Sequence, residues 1–196
     1  AASKLLVSEV EDRQLKQQLE QEIFKIDSYT NLVLQYLRLE SFHDDLVLKK
    51  ENVEDLVKEV IRKYALFFIQ KGLTLNLHDL DRTIVTDKKW FMIILEQVLS
   101  NSLKYTKEGG IEIFFQDDVL YLKDTGLGIK DSDIMRVFER GFSGYNGRLT
   151  HQSSGLGLYL SKKISDQLGN SLSLESQVGQ GTTVKIGLAE KRLAID

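Results

Sequence analysis

The chain has no cysteine and no proline among its 196 residues. Lack of cysteine excludes disulfides and thiolate metal sites and fits a reducing compartment. No apolar run approaches the roughly 20 residues that span a bilayer, and no signal-peptide pattern is present. A basic surplus is also missing: the formal net charge is −3, which argues against nucleic acid as a partner. The three histidines, His43, His78 and His151, lie far apart without ligand spacing, so each reads as a surface residue. There is no Gly-Lys dipeptide, which excludes a Walker P-loop. "GLGIKD" and "GLGLYL" lack the third glycine of a dinucleotide fingerprint, and the protein-kinase catalytic-loop and DFG signatures are absent.

What is present is enough for a core, with 42% hydrophobic and 28% charged residues. Residues 4–41 contain neither glycine nor proline, and Leu15, Leu19, Ile23, Ile26, Val33 and Leu37 recur at steps of three and four, interrupted by Thr30. This spacing predicts an amphipathic helix of about 37 residues, on the order of 55 Å long. Such a helix needs a partner helix or subunit to cover its stripe. "SFHDDL" breaks the period as a linker. A strand is expected at Leu46–Lys49 and a helix at about 53–70 capped by Asn52. Strands at Leu73–Leu77 and Thr83–Thr86 precede a helix at about 88–107, capped by Asp87 and ending at Gly109-Gly110. Ile111–Gln116 and Val119–Lys123 read as a hairpin around Asp117-Asp118. After a glycine-rich stretch over 126–157 come a helix at about 155–168, stopped by Gly169, and strands at about 171–176 and 182–188.

The expected fold is α+β: a two-layer α/β sandwich with a mixed, mostly antiparallel sheet packed on about three helices, preceded by the long N-terminal helix. All but Gly72 and Gly187 of the 14 glycines fall between positions 109 and 181, so permissive backbone is concentrated in one half.

Within that half, five segments recur as candidates: "EQVLSNSLKYT", "DTGLGI", "VFERGFSG", "SSGLGLYL" and "GQGTTV". Gln97, Asn101, Lys104 and Tyr105 share one helix face, at a spacing that usually carries a core stripe. A metal-bound polyphosphate would partner such a polar face, with an amide oxygen on magnesium and an ammonium on phosphate. A solvent-facing stripe is the rival, because Leu95, Val98, Leu99, Ser102 and Leu103 can form the core face without them. "SSGLGLYL" places two glycines at a helix N-terminus, where free N–H groups favour an anion, and capping glycines are the plainer alternative. "DTGLGI" offers a carboxylate that could accept from an exocyclic amine, or simply a turn between strands. "GFSGYNGR" reads as a mobile lid or a plain long loop.

Taken in order, these segments resemble the N, G1, F, G2 and G3 boxes of the ATPase superfamily of gyrase, heat-shock chaperones, mismatch-repair proteins and sensor histidine kinases. "NSLKYT", "VFERGF" and "GLGLYLSKKI" are most similar to the histidine-kinase branch, and to its Gram-positive intramembrane-sensing, antibiotic-responsive members. The resemblance covers essentially the whole chain. It implies that residues 1–43 hold the second helix of a dimerisation and phosphotransfer domain, with "YLRLES" as its exit, and that 44–196 form the ATP-binding catalytic domain.

Carried over by residue, the resemblance implies ATP and Mg²⁺ as cofactors, with Asn101 on the metal and Lys104 and Tyr105 at phosphates and nucleotide. Asp124 would accept from the adenine amine, assisted by Thr182, with Gly126, Gly128 and Ile129 shaping the pocket. Phe138, Arg140 and Arg148 would belong to the lid, where an arginine could reach the γ-phosphate. Gly155, Leu156, Gly157 and Leu158 would line the phosphate side. The family commonly has Asn or Glu four residues before Asn101; here it is Gln97, and Glu96 is rotated about 100° around the helix. Gln97, Asn101 and Arg140 are therefore the expected catalytic set.

The resemblance further implies a response regulator as partner, a homodimer in the intact protein, an ABC transporter as an additional partner, and a place as the cytoplasmic portion of a bacterial membrane protein. The acceptor histidine of the family sits in an H-[DE]-x-x-[TN] setting followed by proline, and no such segment occurs here. His43 in "FHDDL" lies in the linker. We therefore expect a piece of a longer kinase that binds ATP and does not phosphorylate itself. The rival is a nucleotide-gated binding module, as in anti-sigma-type relatives. A domain without nucleotide affinity is the plainest alternative.

Overall fold

The computed structural model describes residues 7, 12–42, 44, 46–144 and 154–188. The chain divides into two compact units, Ala1–Phe42 and His43–Asp196.

In the first unit the helix α1 runs over Arg13–Arg38, followed by a 3-10 turn at Leu39–Ser41. Asp12, in extended geometry, interrupts the predicted 4–41 helix and starts α1; of the residues before it only Val7 is described, and the rest of that expectation lies outside the described residues. The Asp12 carboxylate accepts the backbone N–H groups of Gln14 at 2.8 Å and Leu15 at 3.0 Å, closing the first turn. Leu15, Ile26, Val33 and Leu37 are exposed along it. Thr30, the break in the stripe, turns its hydroxyl back to the Ile26 carbonyl at 2.9 Å.

The second unit is a mixed sheet with helices packed on it. Its strands and helices are β1 (Lys49–Asn52), α2 (Val53–Lys71), β2 (Thr74–His78), β3 (Thr83–Thr86), α3 (Lys88–Tyr105), β4 (Gly110–Gln116) and β5 (Val119–Asp124). They continue as α4 (Asp131–Ile134), α5 (Gly157–Gln167), β6 (Ser171–Gln177) and β7 (Gly181–Gly187). The five-stranded sheet has the order β2-β4-β5-β7-β6, and β1 pairs with β3 in a separate two-stranded ribbon. Only β2–β4 is parallel, and the other pairs of the large sheet are antiparallel. The expected mixed, mostly antiparallel α+β architecture is what forms.

Both predicted N-caps are in place. Asn52 accepts from Glu54 N–H at 2.8 Å, and Asp87 accepts from Trp90 N–H at 3.1 Å. Asp87 also takes the Val47 N–H at 2.7 Å, which holds the chain before β1 and explains why that strand starts at Lys49 rather than Leu46. Asp117 and Asp118 both take positive φ (49° and 58°), as a tight hairpin turn between right-twisted strands requires. Two further differences follow from local geometry. The α3 helix ends at Tyr105, before Gly109-Gly110, because Thr106 leaves helical geometry (ψ 118°). The glycine-rich stretch contains the one-turn helix α4, too short to show periodicity.

The core lies between the sheet and α2, α3 and α5. Val57, Val60 and Ile61 of α2 meet Leu95 and Leu99 of α3 over Ile113 and Leu122 of the sheet. Among the described residues no helix is long and apolar enough to cross a membrane.

Candidate nucleotide-binding site

Strand alternation decides where the first functional side chain goes. On β5 the residues buried under the helices are Leu120, Leu122 and Asp124, so the third place in an apolar series is a carboxylate. The register sets Asp124 opposite Ile111 on β4 and Thr182 on β7, and Thr182 opposite Ser176 on β6. A polar row thus crosses one end of the helix-covered sheet face.

Asp124 is 6% exposed. Its Oδ1 accepts the N–H of Gly126 at 2.9 Å and of Thr182 at 3.2 Å, and its Oδ2 accepts the Ser102 hydroxyl at 2.9 Å. Burial raises the pKa of the carboxyl, while the three hydrogen bonds oppose the rise. Every partner is a donor, so the site is wired for the ionised form. The Thr182 hydroxyl lies 2.8 Å from Ser176 Oγ, which in turn accepts the Ile129 N–H at 2.9 Å. Asp124, Thr182 and Ile129 are therefore joined by one hydrogen-bond network.

The loop after Asp124 is pinned against the end of α3, with Leu127 N–H donating to the Tyr105 carbonyl at 3.1 Å. Gly126 is buried there: a Cβ on it would sit 2.8 Å from both Asp124 Oδ1 and the Tyr105 carbonyl. At Gly128 a Cβ would fall 2.0 Å from the Gln177 carbonyl, where the loop crosses the end of β6.

Along α3, Gln97, Asn101, Lys104 and Tyr105 are all half-buried, neither a core stripe nor a solvent face. The Lys104 ammonium lies 5.1 Å from the centre of the Tyr105 ring. Burial pushes its pKa down to about 8. Glu96 turns away to α2, where its carboxylate receives Lys63 Nζ at 2.7 Å, so it leaves the face of Gln97 as its rotation predicts. Burial, and then the Glu96 charge, raises the pKa of neighbouring Tyr64.

The segment expected on the phosphate side meets α3 near its middle. A Cβ on Gly157 would lie 2.8 Å from Gln97 Oε1, so α5 begins directly against that amide. Among the described residues the N-cap Leu156 makes no side-chain cap bond at the α5 N-terminus, and its own N–H donates to Ser154 Oγ at 3.3 Å. Gln97 and Tyr105 are about 12 Å apart along the axis. The geometry thus has a carboxylate end and a helix-terminus end, with Asn101 and Lys104 between. Gly155, Leu156 and Leu158 are half-buried beside Gly157, and the Gly155 carbonyl accepts the Gly141 N–H at 3.0 Å. Phe138 is half-buried and Arg140 exposed in the turn ahead of Gly141. Arg148, like His43, lies outside the described residues.

Spacing alone places Ser102 on the core face of α3 and gives Ser176 no role. The signal was present: each serine continues an apolar series, Leu95–Leu99–Ser102 on the helix and Leu172–Leu174–Ser176 on the strand. A buried hydroxyl at such a position needs a partner.

Residues 86–192, more than half of the chain, match the family described as histidine kinase-, DNA gyrase B-, and HSP90-like ATPase. The chain belongs to this family. Among its curated relatives, the sensor histidine kinase YxdK of Bacillus subtilis is 34% identical over 194 residues, covering 95% of this chain and 59% of the relative. Sensor protein kinase GraS of Staphylococcus aureus is 37% identical over 190 residues, covering 94% and 55%. The chain therefore spans a little over half the length of these relatives. Solved structures share the fold. Full-length ShkA in complex with AMPPNP superposes with a TM-score of 0.71 at 23% identity, over 90% of this chain and 38% of that one. Histidine kinase AdeS of Acinetobacter baumannii gives 0.67 at 18% identity, over 92% and 87%.

A phosphate contact by Lys104, as the family resemblance implies, would carry a pH signature. Its ammonium loses its proton as pH rises through about 8, the value set by burial. Affinity for ADP should hold near pH 7 and fall by about tenfold by pH 9.5, above the titration of the phosphates themselves. Titration calorimetry across that range checks this, with Lys104→Met as the flat, weaker reference. A flat wild-type profile would remove Lys104 from the phosphate site.

Proposed function

We propose that this chain is the ATP-binding catalytic portion of a two-component sensor histidine kinase. The observation that carries the reading is Asp124: a buried carboxylate, held by three donors, at one end of a half-buried amide and ammonium face. An acceptor-only group in that setting suits an exocyclic amine such as that of adenine, and rejects a carbonyl at the same place. Thr182 and Ile129 share its network, Gly126 and Gly128 let the loop pass close, and Lys104 and the α5 N-terminus face the phosphates.

Magnesium fits this donor set only as a nucleotide-carried ion. Among the described residues no cluster of histidine, aspartate or glutamate could hold a metal alone. The neutral amides of Asn101 and Gln97 suit an ion that keeps most of its coordination from phosphate and water. Bound there, magnesium would neutralise phosphate charge.

In the intact protein the reaction is transfer of the γ-phosphoryl group to a histidine and then to an aspartate of a response regulator. Catalysis of this kind rests on positioning and charge neutralisation. Arg140 and Arg148 are the candidates for the γ-phosphate, a homodimer would use the exposed stripe of α1, and the sensor names of the relatives support a membrane-attached whole. An ABC transporter as additional partner belongs to the same reading.

The test uses γ-labelled ATP with magnesium. Saturable binding is expected, with no acid-labile label left on the chain after desalting, because no histidine stands in an acceptor setting. Absence of saturable binding overturns the nucleotide reading. A covalent acid-labile label overturns the assignment of the acceptor to another segment.

A further inference from the structure

The α3 helix ends at Tyr105, and its final carbonyls have no partner within the helix. Two come from elsewhere in the fold. Leu127 N–H takes the Tyr105 carbonyl at 3.1 Å. The other donor is Lys71, the last residue of α2, whose Nζ donates to the Leu103 carbonyl and to the Thr106 carbonyl, the latter at 3.0 Å. These two carbonyls flank Lys104 and Tyr105. Lys71 is exposed as a residue while its two hydrogen bonds are partly buried, and burial followed by the nearby Lys107 lowers its pKa. The following residues strap the same region: Thr74 N–H and Thr74 Oγ1 both donate to the Gly109 carbonyl, at 2.9 Å and 3.2 Å.

We propose that Lys71 is a positioning residue for the nucleotide site. Its ammonium fixes the peptide groups on both sides of Lys104 and Tyr105, and through them the aim of the Lys104 ammonium and the seat of the loop after Asp124. The inference rests on the nucleotide reading above. A cation at a helix C-terminus is favourable by itself through the helix dipole. What distinguishes this one is that it grips the backbone where the helix turns into the base-recognition loop. Loss of the grip leaves the side chains that meet the ligand intact but lets their backbone shift, and shifts on the order of 1 Å at a binding constellation are expensive.

The experiment compares wild type, Lys71→Met, Lys71→Arg and Asp124→Asn by titration with Mg·ATP and with adenosine, at a temperature where melting curves show each folded. Lys71→Met should lose about tenfold in ATP affinity and only about threefold in adenosine affinity, because the phosphate-facing Lys104 lies inside the bracket. Lys71→Arg should recover most of the ATP affinity. Three results overturn the proposal: ATP affinity of Lys71→Met within twofold of wild type, equal losses for ATP and adenosine, or an arginine variant as impaired as the methionine one. Wild type that binds no ATP, or Asp124→Asn that binds it unchanged, sinks the underlying reading instead.

Discussion

Asp124→Asn is expected to weaken Mg·ATP binding by about 10²–10³-fold, because an amide N–H₂ would face an amine where a carboxylate accepted. The same change should raise the melting temperature of the ligand-free protein by about 2–4 °C. The sign follows from burial. The folded-state pKa of this carboxyl lies above its ordinary value, chiefly through burial, with the bonds from Gly126, Ser102 and Thr182 opposing. The native state therefore holds the proton more tightly than the unfolded chain, and stability falls as pH climbs from about 3.8 through the folded value. At neutral pH the charge is a burden on the empty domain, which a neutral isostere relieves while keeping an acceptor for Gly126 and Thr182. Calorimetric binding and melting on the same samples check both halves. Unchanged binding would remove Asp124 from base recognition, and a lowered melting temperature would mean that the three donors outweigh its burial.

The largest stability effect is expected at Gly181. Its φ is +103°, and a Cβ there would lie 1.8 Å from the Asp124 carbonyl oxygen and 3.0 Å from Thr125 Cα. Neither contact can yield by a side-chain rotation, so Gly181→Ala must push β7 away from β5 where Thr182 pairs with Asp124. We expect a loss of about 3 kcal/mol or more in unfolding free energy, with weakened nucleotide binding as Asp124 shifts. Gly179→Ala in the same turn is the control. Its φ is +79° with nothing within 4 Å of an added Cβ, so only the backbone penalty of about 1 kcal/mol applies. Denaturant unfolding of the two variants side by side decides it. Equal losses would show that conformational strain, not the approach of β7 to Asp124, dictates the glycine.

Local signals were the most legible. Asn52 and Asp87 mark helix starts because capping needs only a side-chain oxygen and the N–H groups of the next turn. Asp117-Asp118 marks a hairpin because the turn closes within the residues it uses. The interruption of the 4–41 helix at Asp12 is not legible, because apolar period and the absence of glycine cannot show where Asp12 will cap. Lys71 left no sequence signal as a brace, since its partners are backbone carbonyls beyond β2 and β3 in the chain. Serines 102 and 176 were visible as interruptions of apolar series, yet their common target could not be named from one-dimensional spacing.

The sequence by itself determined the segments, their order and the residue types that can meet a nucleotide: glycines where backbone must pass, amides and an ammonium on one helix face, and a carboxylate closing a strand. Those are properties of short windows, governed by periodicity, capping and hydrogen-bonding capacity. Only the tertiary structure decided that β7 lies between β5 and β6, setting Thr182 beside Asp124. It also turned Glu96 to Lys63, brought Gly157 against Gln97, and placed Lys71 at the end of α3. Strand pairing and helix packing join residues distant in sequence, and their energies depend on the shared core rather than on any segment alone.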